Sequence, residues 1–393
     1  MSQDQVVIVA ARRTPIGAFQ GTLTAVSSPQ LSATATRACL EDAGLDGNDI
    51  SHAIIGCVLQ AGLGQAPARQ AALGAGLGDS VDCTTVNKVC GSGLRAITFG
   101  TDMLRAGTAS VVVAGGMESM TGAPYLLPKA RGGYRMGHGE IIDHMFFDGL
   151  QNPYDGQMMG HFGEQTARKY KFTRELQDDF AINSVNRATA AIESGAFAGE
   201  IAAVTVKNRK GETVVTQDEV PSTLNVDRIP TLRPAFAKDG TVTAASSSSI
   251  ADGAASVLLM TAGEAQRRGL PALGRIVGHS SHSHEPEWFT TAPVGAIRKL
   301  HEQLGWSPAD VDLYEVNEAF ACVAMAAIHD LDLDPAKINV NGGSCALGHP
   351  IGATGARIVT TLVHAMRNRG GKRGIAALCI GGGEALALGI EID

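Results

Sequence analysis

Two cysteines, a histidine and an asparagine stand where glycine clusters meet apolar runs. Cys90 lies in "VNKVCGSGLR", Cys379 in "ALCIGGGEA", His349 in "GGSCALGHPIGATGAR" and Asn317 in "EVNEAF". A free cysteine is usually a small buried filler, and it becomes a nucleophile only where its thiol can ionise. If "DCTTVNKV" is a strand and "SGLRAITFGTDML" a helix, Cys90 sits at a helix N-terminus. There the dipole and the free N–H groups favour an anion and lower a thiol pKa. Gly91 and Gly93 leave room for an acyl group to approach.

A thiol nucleophile also needs a base. Of eleven histidines, only His349 lies inside a glycine-rich strand-to-helix junction, and Pro350 biases it away from helical dihedrals. Cys379 ends an apolar run just before three glycines, whose N–H groups can cradle an oxyanion; a second thiol there can serve as general acid and base. Asn317 and Glu318 end another apolar run, where an amide can orient water or polarise a carbonyl. The other histidines have milder readings. His279, His282 and His284 form a short tract of metal-ligand type, but the segment is polar and has no second ligand cluster, so no metal site is assigned. His138, His144 and His161 either line a pocket or face solvent.

These residues need elements to carry them. "VVIVAA", "HAIIGCVL", "SVVVAGG", "VDLYEV", "KINVNGG" and "GIAALCIGGG" read as buried strands. "SPQLSATATRACLEDAG", "GLRAITFGTDMLRAG" and "TGARIVTTLVHAMRNRG" read as helices, the last two ending at Gly107 and Gly370. Alternation of this kind predicts an α/β fold. The series of strand, Cys90 helix and "VVVAGGMES" is echoed roughly 260 residues later by "ADVDLYEVNEAF", "ALGHPIGATGAR" and "AALCIGGGEA", a self-similarity that predicts a duplicated α/β half. Between the halves, residues 120–248 turn rich in Gly, Met and aromatics. They include a helical segment with Thr173 as N-cap, and an insertion of this length usually carries substrate contacts.

Composition bounds the function. The chain has 393 residues, 44% hydrophobic and 18% charged, which fits a globular protein with a substantial core. A net charge of -7 argues against general nucleic-acid binding. No apolar run reaches the roughly 18 residues of a membrane span, and the start lacks a secretory pattern. Seven scattered cysteines without a CxxC pair suit a reducing, cytoplasmic compartment.

The set "NKVCGSGL", "GGMESM", "NEAFA", "NVNGGSCALGHPIGATGAR" and "CIGGGE" resembles the thiolase family over essentially the whole chain. The resemblance implies two duplicated βαβαβαββ halves forming a five-layered αβαβα core with an inserted loop domain. The first half spans residues 1–270 and carries the insertion at about 120–248, and the second spans 271–393. It implies that Cys90 is acylated by a thioester while His349 takes its proton. Cys379 then removes an α-proton from a second acyl-CoA, and the enolate attacks the acyl-enzyme. Asn317, through a water, and His349 would hold the enolate oxygen; the N–H groups of Cys90 and Gly381 would form the oxyanion hole for the acyl-enzyme intermediates. Ser248, Phe236, Met159, Leu150, Ala244, Ala319 and Phe320 match the walls that hold coenzyme A and its acyl end.

Acyl-CoA thioesters are then substrates, no metal or redox cofactor is implied, and a homotetramer built as a dimer of dimers is. Some positions depart from the short-chain biosynthetic pattern. Met158 stands where His is common, Ser222 where Arg is common, and Glu384 where Met or Gln is frequent; Trp288 and Phe289 fall near the expected acyl pocket. The expected activity is acetyl-CoA C-acetyltransferase, with Phe289 and Met158 shortening the pocket. The alternatives are a degradative 3-ketoacyl-CoA thiolase of broader chain length and, remotely, a non-catalytic acyl-CoA or lipid-binding protein.

Overall fold

A computed structural model of the chain describes residues 5–208 and 211–393. The first half contributes strands β1 (Val6–Arg13), β2 (His52–Gly56), β3 (Asp82–Val86), β4 (Val111–Ser119) and β5 (Ala251–Thr261). It also contributes helices α1 (Ser28–Ala43), α2 (Pro67–Ala75) and α3 (Ser92–Arg105). Its strands pair in the order β3-β2-β4-β5-β1, with β2 parallel to both neighbours and β5 antiparallel to both. β4 and β5 are buried along almost their whole length, which is why they read as continuous apolar runs rather than alternating ones.

The second half repeats the plan with β6 (Gly274–Ser283), β7 (Leu313–Val316), β8 (Arg373–Ile380) and β9 (Glu384–Glu391), in the order β7-β8-β9-β6. β7 is parallel to β8, and the remaining pairs are antiparallel. The repeat departs from expectation at "KINVNGG", where the third strand is reduced to one parallel bridge, Tyr314–Ile338. Asn339 explains the loss. Its backbone turns left-handed at φ 47, and its side-chain amide takes both polar groups of Val316 at 2.8 Å, replacing the next rung of the ladder.

The two sheets share an edge through Val6–Ile8 against Gly274–Ile276. α1 and α2 cover the outer face of the first sheet; α6 (Ala292–Leu304) and α7 (Ala321–Leu331) cover that of the second. α3 and α8 (Ile351–Arg369) lie between the sheets, giving five layers, αβαβα. Three apolar clusters fill the spaces between the layers, one under each outer helical layer and a central one that spans both sides of the α3–α8 layer and joins Leu94 and Ile97 of α3 to Ile358 and Leu362 of α8.

α3 and α8 meet near their N-termini because glycine lets them. A Cβ on Gly93 would lie 2.8 Å from the Ala356 backbone nitrogen, and one on Gly355 would fall on the backbone of Leu94. The insertion leaves the first half after β4 and carries α4 (Met159–Tyr170) and α5 (Arg174–Glu193). Thr173 caps α5 through the Leu176 N–H, as its sequence predicts. The chain returns along Ser246–Ser249, where Ser247 bridges to Phe320, Ser248 N–H donates to Ala319 and the Ser249 carbonyl accepts from His349 N–H.

Candidate active site

Cys90 follows β3 and lies two residues before the first residue of α3, with Gly91 as the cap between them. The turn is strained: Val89, a β-branched residue, adopts φ 47. Two side chains hold it there. Val89 N–H donates to Asn87 Oδ1 at 2.9 Å, and Ser92 Oγ donates to the Val89 carbonyl at 2.7 Å while accepting from Lys88 N–H. Gly91 has no Cβ because the Ile380 side chain occupies that space.

The half-buried Cys90 thiol is not the ready-made thiolate that a helix N-terminus predicts. Burial pushes it up to about 11, against the pull of N–H groups from Gly381 and from Cys90 itself. The "CIGGG" loop of the second half packs onto the Cys90 loop of the first: a Cβ on Gly381 would lie 3.7 Å from Val89 Cγ1. Cys379 is fully buried, and burial raises its thiol well above the ordinary value, with the neighbouring Cys90 thiol raising it further. The two sulfurs share one neighbourhood.

His349 is buried at the start of α8, and burial lowers its imidazole to about 3, helped by the Arg357 guanidinium. Its Nδ1 lies 2.6 Å from Thr354 Oγ1, whose own hydrogen goes to the Pro350 carbonyl. Thr354 therefore accepts, Nδ1 carries the proton, and Nε2 presents a bare lone pair. That Nε2 has no partner among the described residues. Asn317 follows β7; its Oδ1 receives Ser344 Oγ at 2.5 Å, and its Nδ2 is likewise buried without a partner among the described residues. A basic nitrogen and an amide donor are thus left uncommitted.

A cavity of about 530 Å³ opens at His349. Two families of sequence cover the chain that builds it: the thiolase N-terminal domain matches residues 6–263, and the thiolase C-terminal domain matches residues 270–392. The chain belongs to the thiolase family. It is 49% identical to an acetyl-CoA acetyltransferase of Pseudomonas aeruginosa, with 99% of each chain covered. It is 48% identical to proteins of the same name from Rhizobium meliloti, covering all of both chains, and from Escherichia coli, covering 98% of each.

In this thiolase all the sequence-predicted wall residues line the cavity: Leu150, Met159, Phe236, Ala244, Ser248, Ala319 and Phe320. Phe236 packs edge-on against Phe320 at 5.9 Å, and Gly160 leaves the space its ring fills. Met158 lines the cavity as expected, whereas Phe289 does not. Phe289 is buried behind the wall in one apolar cluster with Phe162, Ala319, Phe320 and Cys379, packing edge-on against Phe162. Ser222 spends its hydroxyl on the Glu219 carbonyl at 2.7 Å.

Two of the three tract histidines are engaged with their surroundings: His279 meets Asp102, and His284 meets the Trp288 carbonyl. No cluster of metal-ligating side chains occurs among the described residues. His144 pairs with Asp148 and His161 with Gln165. Glu318 does not point to the cavity as a reactive carboxylate; it receives Ser184 Oγ, Asn339 Nδ2 and Cys345 N–H, pinning the loop before His349 to the end of β7.

Several supporting residues escaped the sequence reading. Glu118, inside "GGMESM", accepts N–H groups from Val58, Leu59 and Gly352 and so anchors the first turn of α8; burial raises its carboxyl to about 7. Arg357 donates to Ser344 and to Glu315, holding the serine that orients Asn317. Thr354 was within view, five residues after His349, but nothing local marks it as a partner of the ring.

Proposed function

We propose that this thiolase is an acetyl-CoA C-acetyltransferase that joins two acetyl-CoA into acetoacetyl-CoA and coenzyme A, and catalyses the reverse thiolysis. One observation carries the reading: His349 Nε2 is buried without a partner among the described residues, and His349 lines an apolar cavity together with the walls expected to hold an acyl-CoA. The full-length relatives named acetyl-CoA acetyltransferase support the choice of acyl group.

His349 takes the Cys90 proton at Nε2, and the thiolate attacks the thioester carbonyl. The N–H groups of Cys90 and Gly381 receive the tetrahedral oxyanion. Coenzyme A leaves with a proton from Cys379, so Cys90 carries the acetyl group and Cys379 becomes the thiolate. Cys379 then takes an α-proton from the second acetyl-CoA. The enolate oxygen is held by the protonated His349 and, through a water, by Asn317 Nδ2. The enolate carbon attacks the acetyl group, Cys90 departs, and it recovers its proton from His349. Neither Cys90 nor His349 ionises alone near neutral pH; thiolate and imidazolium arise together, each stabilising the other. The thioester itself stabilises the carbanion, so the steps call on no metal or redox cofactor.

Free thiols at all seven cysteines suit a cytoplasmic setting, and no helix among the described residues is long and apolar enough to cross a membrane. Exposed Tyr125, Leu127, Met136 and Ile141 in the insertion support self-association, in keeping with a homotetramer. The test is a chain-length profile. Thiolysis of acetoacetyl-CoA should exceed that of 3-ketooctanoyl-CoA in kcat/KM. Equal or faster turnover of the longer substrate would replace this reading with a degradative 3-ketoacyl-CoA thiolase.

A further inference from the structure

The Cys90 and Gly381 N–H groups, assigned above to the oxyanion hole, sit on two loops from opposite halves of the fold. On one, Val89 is held left-handed between Lys88 and Cys90; on the other, Gly381, Gly382 and Gly383 carry no side chain, and the last two have φ 95 and φ 91. Glycine loops lack the steric walls that fix a backbone, yet an oxyanion donor must stand within about 2.7–3.1 Å of the oxygen it serves. Something must register one loop against the other.

Lys88 and Glu384 do so. Lys88 Nζ lies 2.7 Å from Glu384 Oε2, across 296 residues of sequence and from one half of the fold to the other. Lys88 stands two residues before Cys90, and Glu384 directly follows Gly383. Each is anchored a second time: Lys88 N–H donates to Ser92 Oγ, and Glu384 Oε1 receives Ser283 Oγ at 3.3 Å. Val89 also rests on the loop it faces, since a Cβ on Gly381 would lie 3.7 Å from Val89 Cγ1. Neither Lys88 nor Glu384 lines the cavity. They are positioning residues, acting through the backbone groups beside them.

We propose that the Lys88–Glu384 ion pair sets the spacing of the Cys90 and Gly381 N–H donors and thereby the rate at which Cys90 is acylated. The proposal rests on the acyl-cysteine reading above. The pair is partly exposed, and such pairs contribute little to global stability. Its leverage is local, because small shifts of a preorganised donor lower the rate without unfolding anything.

The experiment compares Lys88→Met, Glu384→Gln and the charge-swapped double variant Lys88→Glu/Glu384→Lys with the parent enzyme. Single-turnover acetylation of Cys90 by acetyl-CoA is followed by intact-protein mass, alongside acetyl-CoA Kd and thermal midpoint. Each single variant should acylate about five- to tenfold more slowly at unchanged Kd and nearly unchanged midpoint, with the swap recovering most of the rate. Single variants that acylate at the parent rate, or a swap as slow as the singles, overturn the proposal. A parent enzyme that forms no Cys90 adduct at all overturns the acyl-cysteine reading first, and this proposal with it.

Discussion

His349 Nδ1 and Thr354 Oγ1 stand 2.6 Å apart, and this contact decides which imidazole nitrogen faces the cavity. The Thr354 hydroxyl has one hydrogen, committed to the Pro350 carbonyl, so the ring must donate to it. The base of the proposed mechanism is therefore prepared by a neutral hydroxyl rather than by a carboxylate.

Thr354→Val removes the acceptor while keeping the shape. An orienting carboxylate on a catalytic histidine is worth up to about 10⁴ in rate, and loss of this neutral acceptor should slow acylation by about 10- to 100-fold. Thr354→Ser should stay within a few-fold of the parent. Single-turnover acetylation rates of the two variants check this; a valine variant at parental speed would remove Thr354 from the machinery.

The two thiols should separate by half-reaction. Cys90→Ser should abolish the acetyl adduct seen by mass spectrometry after incubation with acetyl-CoA. Cys379→Ser should still form an adduct while losing condensation by at least about 10³-fold, since it lacks the group proposed to remove the α-proton. Rapid condensation by Cys379→Ser would reduce Cys379 to a buried core thiol.

Close approach of α3 and α8 depends on absent side chains. Gly355→Ala drives a Cβ into the Leu94 backbone, where no flexible group can yield, and should cost about 1–3 kcal/mol. Gly132→Ala, where a Cβ meets nothing within 4 Å, should stay within about 0.5 kcal/mol of the parent. Denaturant midpoints of the two variants test the contrast.

His349 also makes stability depend on pH. Its folded pKa is lowered to about 3 from the ordinary 6.5, so below 6.5 the unfolded chain binds a proton that the folded one refuses. Its contribution is complete above pH 6.5 and declines by up to about 1.4 kcal/mol per pH unit as the pH falls towards 3. His349→Asn should lose stability less steeply between pH 7 and pH 5 than the parent, by about 2 kcal/mol over that span. Urea unfolding at both values measures it, and parallel pH slopes would show that His349 is not held neutral.

Much of this molecule was written locally. The glycine caps after α3 and α8, the Thr173 cap of α5 and the buried runs of β4 and β5 each follow from a window of a few residues. So did the candidate residues, because Cys90, Asn317 and Cys379 each stand at the end of a recognisable apolar run and His349 in a glycine-rich strand-to-helix junction. "KINVNGG" misled for a physical reason: its apolar alternation has strand period, but the Asn339 side chain competes for the backbone groups of Val316 and wins.

The sequence by itself determined the duplicated α/β plan and the candidate residues at its loop ends, since periodicity, capping and glycine placement act between near neighbours; the wall of the cavity was implied only by the resemblance to thiolases. Only the tertiary structure decided that the Cys90 thiol is raised rather than lowered, that Phe289 lies behind the pocket, and that Lys88 reaches Glu384. Those outcomes depend on burial and on contacts between segments hundreds of residues apart. Desolvation and long-range pairing have no signature within a short window of sequence.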